Sequence, residues 1–325
     1  MLAVRRTAMN DDFEVVFPRL NFPQGTEAAL DALDEVDRIE QMLSVFRFDS
    51  QVHYINLTAH EGPVRLEKEL FDLFVLCVKL AEETDGAVDI TSGALWKTWG
   101  FAKRQGRIPN GNELDKAKDC TGYRYIELDE KSQTVRFRKP GIELNFGCVG
   151  KGFALDIASQ KLREQAVDRF LFQGGLSSVL AAGCGWRIGV AHPLRPGQRL
   201  RELMLDNVAV STSGSQKQSF RHSNRRYSHQ IDPRTGLPAE GVYTATVLAP
   251  TAALAELLST AFFVLGATRA AEYCSRHQGI SAMLTVHSDA CSGFLPGESN
   301  IGTVEQFGEL SVVSMGAGEK QETQP

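Results

Sequence analysis

The chain has 325 residues, 42% of them hydrophobic, which is enough for one large or two medium domains with a real core. Lys plus Arg is 35 against Asp plus Glu 40, a net charge of −5, so the overall balance offers no attraction for nucleic acid or an anionic membrane and any anion site has to be local. The opening MLAVRRTAMNDDFEVVF has no apolar leader region and no small-residue cleavage signal, and no segment approaches the run of about 20 apolar residues that spans a bilayer, so the expectation is a soluble cytoplasmic protein without a membrane anchor. Six scattered cysteines (Cys77, Cys120, Cys148, Cys184, Cys274, Cys291) lack C-x-x-C spacing and read as small buried hydrophobes rather than a zinc or disulfide framework.

In chain order, the alternation of Phe13, Val15 and Phe17 predicts a strand. From Thr26 to Leu43 the apolar positions Ala29, Leu30, Leu33, Val36, Ile39, Met42 and Leu43 recur at three and four, the stripe of an amphipathic helix, and a second such helix is expected from about Glu67 to Glu83. A helix over Lys151 to Val167 is opened by a Gly-rich turn. FLFQGG, WRIGVAHP, NVAVSTSG and YTATVLAP read as short strands ending in turns. Ala252 to Leu265 is apolar nearly all round and predicts a buried helix, while the last residues, SMGAGEKQETQP, are polar and predict a disordered tail over 314–325 behind a domain of residues 1–313. Strands and helices do not alternate regularly, so a single α+β domain with mixed or antiparallel sheets fits better than a doubly wound α/β fold.

Four segments hold more polar chemistry than packing requires. Thr84 to Thr91, TDGAVDIT, brackets a Gly turn with two carboxylates; taken alone it is a helix stop and a turn. Asn145 to Gly152, NFGCVGKG, is a Gly-rich strand-to-helix turn that lets the backbone approach a ligand and aims amides at an anion, although its spacing is neither a Walker A loop nor G-x-G-x-x-G, and such turns also occur without ligands. RRYSHQIDPRTGLP, residues 225–238, is either a hairpin connection with solvated arginines or a stiff loop that holds the base His229 beside an anionic ligand, with Pro233 pushing Asp232 toward extended geometry. Glu256, Ser259 and Thr260 share a face of the apolar helix, which suits a hard cation such as Mg²⁺ or, alternatively, a Glu at a solvated helix edge.

These segments, in this order, resemble the ApbE family of FAD:protein FMN transferases. The resemblance rests on DRIEQMLSVFRFDSQVHYIN, TDGAVDIT with the Trp99-Gly100-Phe101 that follows, VGKGFALD, VSTSG, HQIDPRTGLP and AELLSTAFFVLG, and spans the chain from about Thr7 to Gly266. It implies a T-fold-like α+β domain that binds FAD with Mg²⁺ on the diphosphate and transfers FMN to a Thr or Ser hydroxyl of an acceptor flavoprotein, releasing AMP. Position by position it assigns flavin or FAD contacts to Met9, Phe46, Ala87, Val88, Asp89, Asn145, Cys148, Lys151 and Ile231, the metal to Glu256, Ser259 and Thr260, and the proton-accepting role to His229. The chain departs from the family pattern at Asn10-Asp11 where Gly-Thr is usual, at Asn145 where Asp is usual, at Leu176-Ser177-Ser178 where a further Asp is usual after Gly174-Gly175, at Ser215-Gln216, and at Glu256, one methylene longer than the usual Asp. Two other readings remain open on sequence: an FAD-binding protein without transferase activity, and a Mg²⁺-dependent FAD pyrophosphatase.

Overall fold

The computed structural model describes residues 1–215, 218–223, 225–286, 303–309 and 312–313, so the expected tail over 314–325 and Cys291 lie outside the described residues. Elements run in the order β1 (Leu2–Ala8), β2 (Asp11–Phe17), α1 (Gly25–Leu43), α2 (Gln51–Thr58), β3 (Val64–Arg65), α3 (Lys68–Glu83), α4 (Gly93–Thr98), α5 (Gly111–Asp119), β4 (Ile126–Asp129), β5 (Thr134–Phe137) and α6 (Gly150–Glu164). They continue through β6 (Phe170–Gly174), β7 (Ser178–Ala182), β8 (Trp186–Ala191), β9 (Arg199–Leu205), β10 (Ala209–Gly214), β11 (Ser219–His222), β12 (Arg225–Ser228), β13 (Val242–Ala249), α7 (Ala252–Arg276), β14 (Ser281–Val286), β15 (Val304–Phe307) and β16 (Val312–Val313).

An eight-stranded sheet in the order β1-β2-β6-β7-β10-β13-β14-β15, antiparallel at every pairing, organises the domain. The expected α+β class is the one observed. The inward residues of β2, Phe13, Val15 and Phe17, are fully buried, as their alternation predicts, and pack in one core with Leu33, Val36 and Ile39 of α1 and Leu257, Leu258 and Phe262 of α7. A smaller apolar cluster joins Leu171, Val210, Leu248 and Met283 of the large sheet to Trp186 and Leu203 of the β16-β9-β8 sheet. β1 escapes the sequence reading because its inward positions Leu2, Val4 and Arg6 are only half-buried and one of them is charged.

α7 is longer than the sequence reading allows. Its first part ends at Gly266, as expected, where φ is +78°, and a helical segment resumes beyond that kink to Arg276. By length and composition this 25-residue helix, with mean hydropathy 1.3 over its most apolar window, could cross a membrane, contrary to the expectation that no segment does; 56% of that window is buried inside the protein. The cysteines divide: Cys77 and Cys274 are buried as expected, Cys120 and Cys148 are half-buried, and Cys184 is exposed.

α6 and α7 cross closely because position 152 has no side chain: a Cβ there would lie 2.3 Å from the carbonyl oxygen of Ala252. At this crossing each helix satisfies the other's free N-terminal amides. Asp156 of α6 accepts from the amides of Ala252 and Ala253, each at 2.8 Å, and Glu256 of α7 accepts from the amide of Gly152 at 2.6 Å. Gly152→Ala forces Cβ onto a backbone atom that cannot yield cheaply, so it is expected to cost about 1–3 kcal/mol. Urea unfolding should show a lower midpoint with an unchanged slope, and an unaltered midpoint would contradict this packing.

Candidate active site

The Gly-rich turn is held by two backbone–backbone bonds and one side-chain acceptor. Asn145 donates its amide to Ile90 O at 2.7 Å, Gly93 donates to Glu143 O at 3.1 Å, and the Asn56 side chain accepts from the Leu144 amide at 2.8 Å, so the turn is held against both residues 90–93 and α2. Asn145 accepts from Gly147 N at 2.9 Å and thereby caps the short helical turn over residues 146–148. Its side-chain oxygen is thus used in shaping the turn. Asn145 does this without adding a negative charge to the turn.

Directly after the turn, Lys151 places its Nζ 3.1 Å from Glu256 Oε1, and Ser178 donates to the same oxygen at 3.3 Å. Glu256 is 5% exposed, so the carboxylate is carried in a buried setting and its charge is matched by Lys151. Attraction to Glu256, more than opposing desolvation, holds Lys151 firmly protonated, with Asp11 as a further charged neighbour. The Cys148 thiol is pushed up to about 12 by burial first and by Glu256 and Asp89 next, so it is a neutral wall of the site and no nucleophile. Asp11 follows the two-residue Met9-Asn10 turn between β1 and β2, both residues at positive φ (52° and 58°), and packs over Gly175. The Met9 amide is fixed to Glu40 at 2.8 Å.

His229 leaves the β11–β12 hairpin at the edge of this cluster. Its Nδ1 lies 3.0 Å from the carbonyl of Gln218, and because a carbonyl can only accept, Nδ1 carries the hydrogen and the lone pair is on Nε2. Burial, reinforced by the nearby Lys151, lowers its pKa despite the Gln218 bond, so the ring is neutral at pH 7. An aromatic stack fixes the hairpin: Phe220 and Tyr227 face each other at 5.2 Å, Trp99 lies 5.7 Å from Tyr227, and Phe101 meets the His229 ring edge-on at 6.4 Å.

The loop beyond His229 is stiff, as its sequence predicts. Ile231 bridges to Pro238, the Asp232 amide donates to Leu237 O at 2.8 Å, and Trp99 Nε1 donates to Gly236 O at 2.8 Å. Arg234 grips Asp232 through two bonds of 2.8 Å. Arg225 and Arg226 are strand residues rather than turn residues: Arg225 is solvent-exposed, as expected, and pairs with exposed Glu240, whereas half-buried Arg226 donates to Ser219 Oγ and Ser215 O. The choice left open by sequence therefore falls on a constrained loop.

The remaining candidates divide by exposure. Phe46 is 61% exposed, its ring 6.3 Å from Trp96, in the segment after α1 whose Leu43 abuts Gly150. Ala87, Val88 and Asp89 are all buried. Asp89 spends its carboxylate on the amide and hydroxyl of Thr91 and on the Tyr123 amide, at 2.8, 2.7 and 2.6 Å, which ties two turns together; burial raises its pKa against these bonds. Sequence reasoning marked Ser213, within Ser211-Thr212-Ser213-Gly214, as part of the His229 segment but did not single out Asp156, although it lies inside the quoted motif VGKGFALD. A carboxylate five positions after Lys151 on an otherwise buried helix was the available signal. A cavity of about 300 Å³ lined by Asp49, Ser50, Tyr54 and Leu66 opens elsewhere, between α2 and β3, and shares none of the site residues.

Glu256, Ser178, Ser213, Ser259 and Thr260 supply only oxygen donors, the chemistry a hard cation takes, and the Lys151 ammonium already stands in for a cation on Glu256. The residues fit a divalent ion, with Glu256 and half-buried Thr260 the ones that would hold it. Ser259 is fully buried, and its hydroxyl is engaged with Ser213 at 2.9 Å and the Glu256 carbonyl at 3.0 Å. Among the described residues, no group of three or more His, Cys, Asp and Glu side chains gathers as a metal cluster.

A Gly-rich turn, a Lys–Glu ion pair and a neutral histidine are thus carried on one antiparallel α+β frame. Residues 9–284 match the model of the ApbE family, and the chain belongs to that family. It is 29% identical over 266 residues to the Escherichia coli K12 protein named FAD:protein FMN transferase, covering 79% of this chain and 76% of that protein, and 27% identical over 275 residues to its Haemophilus influenzae namesake, covering 81% and 78%. Among solved structures, an ApbE protein of Thermotoga maritima superposes with a TM-score of 0.82 at 28% identity, covering 94% of this chain and 96% of that one. The apo flavinyl transferase ApbE of Pseudomonas stutzeri gives 0.78 at 26% identity, covering 88% and 91%.

The depressed pKa of His229 has a defined sign in stability. The unfolded ring takes its proton near 6.5 and the folded ring only at lower pH, so folding stability falls as pH drops through about 6.5. His229→Asn, which keeps a donor for the Gln218 carbonyl, should lack this limb when stability is measured between pH 7.5 and 5. Identical pH profiles for the two proteins would show that the ring titrates normally.

Proposed function

We propose that this chain is an FAD:protein FMN transferase, moving FMN from FAD to a Thr or Ser hydroxyl of an acceptor flavoprotein with release of AMP. The observation that carries the reading is His229: neutral, with Nε2 as its acceptor nitrogen, at the edge of the cluster that holds Lys151. Transfer needs a base for the hydroxyl proton, positive charge for the diphosphate and rigid positioning of both, and little else.

In this reading the diphosphate lies at the Gly-rich turn, where α6 presents its N-terminal end and Lys151 its ammonium. Phe46 offers an exposed aromatic face to the isoalloxazine ring, and the Met9 turn closes near the Lys151–Glu256 pair. The acceptor hydroxyl oxygen forms a bond to the FMN phosphorus, the bond from that phosphorus to the bridging oxygen breaks, and AMP leaves with that oxygen. His229 Nε2 takes the hydroxyl proton. A divalent ion held by Glu256 and Thr260 would add charge stabilisation to the diphosphate. The stiff Asp232–Arg234 loop fixes where Nε2 sits, so the base is placed before the substrates arrive.

Incubation with FAD, Mg²⁺ and a co-expressed flavoprotein acceptor should give covalently fluorescent acceptor and one AMP for each flavin attached. His229→Ala should lower transfer by about 10²–10⁴-fold while FAD binding survives. Acceptor left unlabelled by the wild-type protein while FAD is split to FMN and AMP would assign hydrolysis instead. The acid limb of kcat/KM should fall below the ordinary histidine value near 6.5, since burial lowers the His229 pKa. Phe46→Ala should weaken FAD binding by roughly 0.5–1.5 kcal/mol, the scale of one aromatic stacking contact, as measured by fluorescence titration.

A further inference from the structure

Glu256 has two oxygens in unlike situations. Oε2 accepts from the Gly152 amide at 2.6 Å, a backbone group that cannot leave without opening the first turn of α6. Oε1 accepts only from side chains, Lys151 at 3.1 Å and Ser178 at 3.3 Å, and these can turn away. A cation that reaches Glu256 therefore takes Oε1, the oxygen Lys151 holds. The Lys151 side chain is 22% exposed and that of Glu256 6%, so of the pair Lys151 is the more accessible to solvent. Two cations crowded on one buried carboxylate oxygen repel strongly at low effective dielectric, so one excludes the other.

We propose that Lys151 is a built-in counter-ion that competes with a divalent cation for Glu256, so that metal entry releases the ammonium toward an anion in the cleft. The inference rests on the reading of this site as a diphosphate site. It gives the lysine two successive roles. Without substrate it neutralises a carboxylate that would otherwise be buried and unpaired, which keeps the α6–α7 crossing closed. With metal on Glu256 its charge becomes available to the phosphates, and Asp11, already among its neighbours, keeps it from swinging out of the cleft. Metal and substrate then bind cooperatively, because the diphosphate offers the displaced ammonium a new partner and metal binding alone does not.

The test uses the full chain with Mn²⁺ and no flavin or acceptor, so that failure of transfer and failure of this inference are read separately. Mn²⁺ binding is measured by electron paramagnetic resonance and by the rise in melting temperature on titration. Wild-type protein should bind weakly; Lys151→Met should bind at least tenfold more tightly and gain more in melting temperature, and Lys151→Arg, which keeps the charge, should bind no better than wild type. Lys151→Gln keeps a donor for Oε1 and should fold where Lys151→Met does not, with the same gain in affinity. Glu256→Gln in the presence of Lys151 should abolish binding. Equal or weaker Mn²⁺ affinity in both neutral variants, or an equal gain in Lys151→Arg, would overturn the proposal.

Discussion

Asp156 and Glu256 each close the N-terminus of the other's helix, and the site depends on that exchange. A helix N-terminus has free amides and the positive end of the macrodipole, so a buried carboxylate placed there recovers part of its desolvation cost without a side-chain partner. Two such contacts across one crossing fix α6 and α7 in register as well as in distance. Burial still wins at Asp156, whose pKa is pushed up to about 6 against two amide bonds and the attraction of Arg163. Glu256 differs because Lys151 is within reach, and that difference separates a purely structural carboxylate from one that can also deal with a cation.

The groups around this crossing arrive from distant parts of the chain. The sheet order brings the β1–β2 turn, with Asp11, beside the β6–β7 turn, with Gly175, and sets Ser178 of β7 and Ser213 of β10 toward α7. Residues 90–93 are joined to the Gly-rich turn by backbone bonds alone, which explains why buried Asp89 is used on Thr91 and Tyr123: it shapes a turn against which the turn at 145–148 is formed. His229 comes by a different route, held by an aromatic stack that reaches through Trp99 to the loop at Gly236. Base and cation are thus carried on separate rigid pieces. Their relative placement is a property of the whole domain rather than of either loop.

Periodicity made α1, α3 and β2 legible from sequence, since each buries a regular apolar stripe, and the first half of α7 was legible because it is apolar nearly all round. Periodicity missed β1, where Arg6 takes an inward position and pairs with Asp34 and Asp37 of α1. The polar residues of the site were found by their density between constrained turns, but their partners were not. Glu256 and Gly152 lie 104 residues apart, and nothing local to either predicts that an amide and an ammonium share one carboxylate. Ser259 shows the same limit from the other side: helical spacing places it on the face of Glu256, yet Ser213 and a carbonyl of its own helix claim its hydroxyl.

The length of the Glu256 side chain is intelligible at the crossing. An aspartate on the same Cα would stop one methylene short of where Oε2 meets the Gly152 amide at 2.6 Å. The longer side chain spans the crossing and joins α6 to α7 while leaving Oε1 on the side of Lys151 and Ser178. Ser178 brings a neutral hydroxyl to that oxygen. Glu256 is the leading source of the attraction that holds the Lys151 ammonium, with Asp11 a further one. The two carboxylates are therefore coupled through one charge. Changing either would alter the balance that holds Lys151, so the effects of their substitutions cannot be additive.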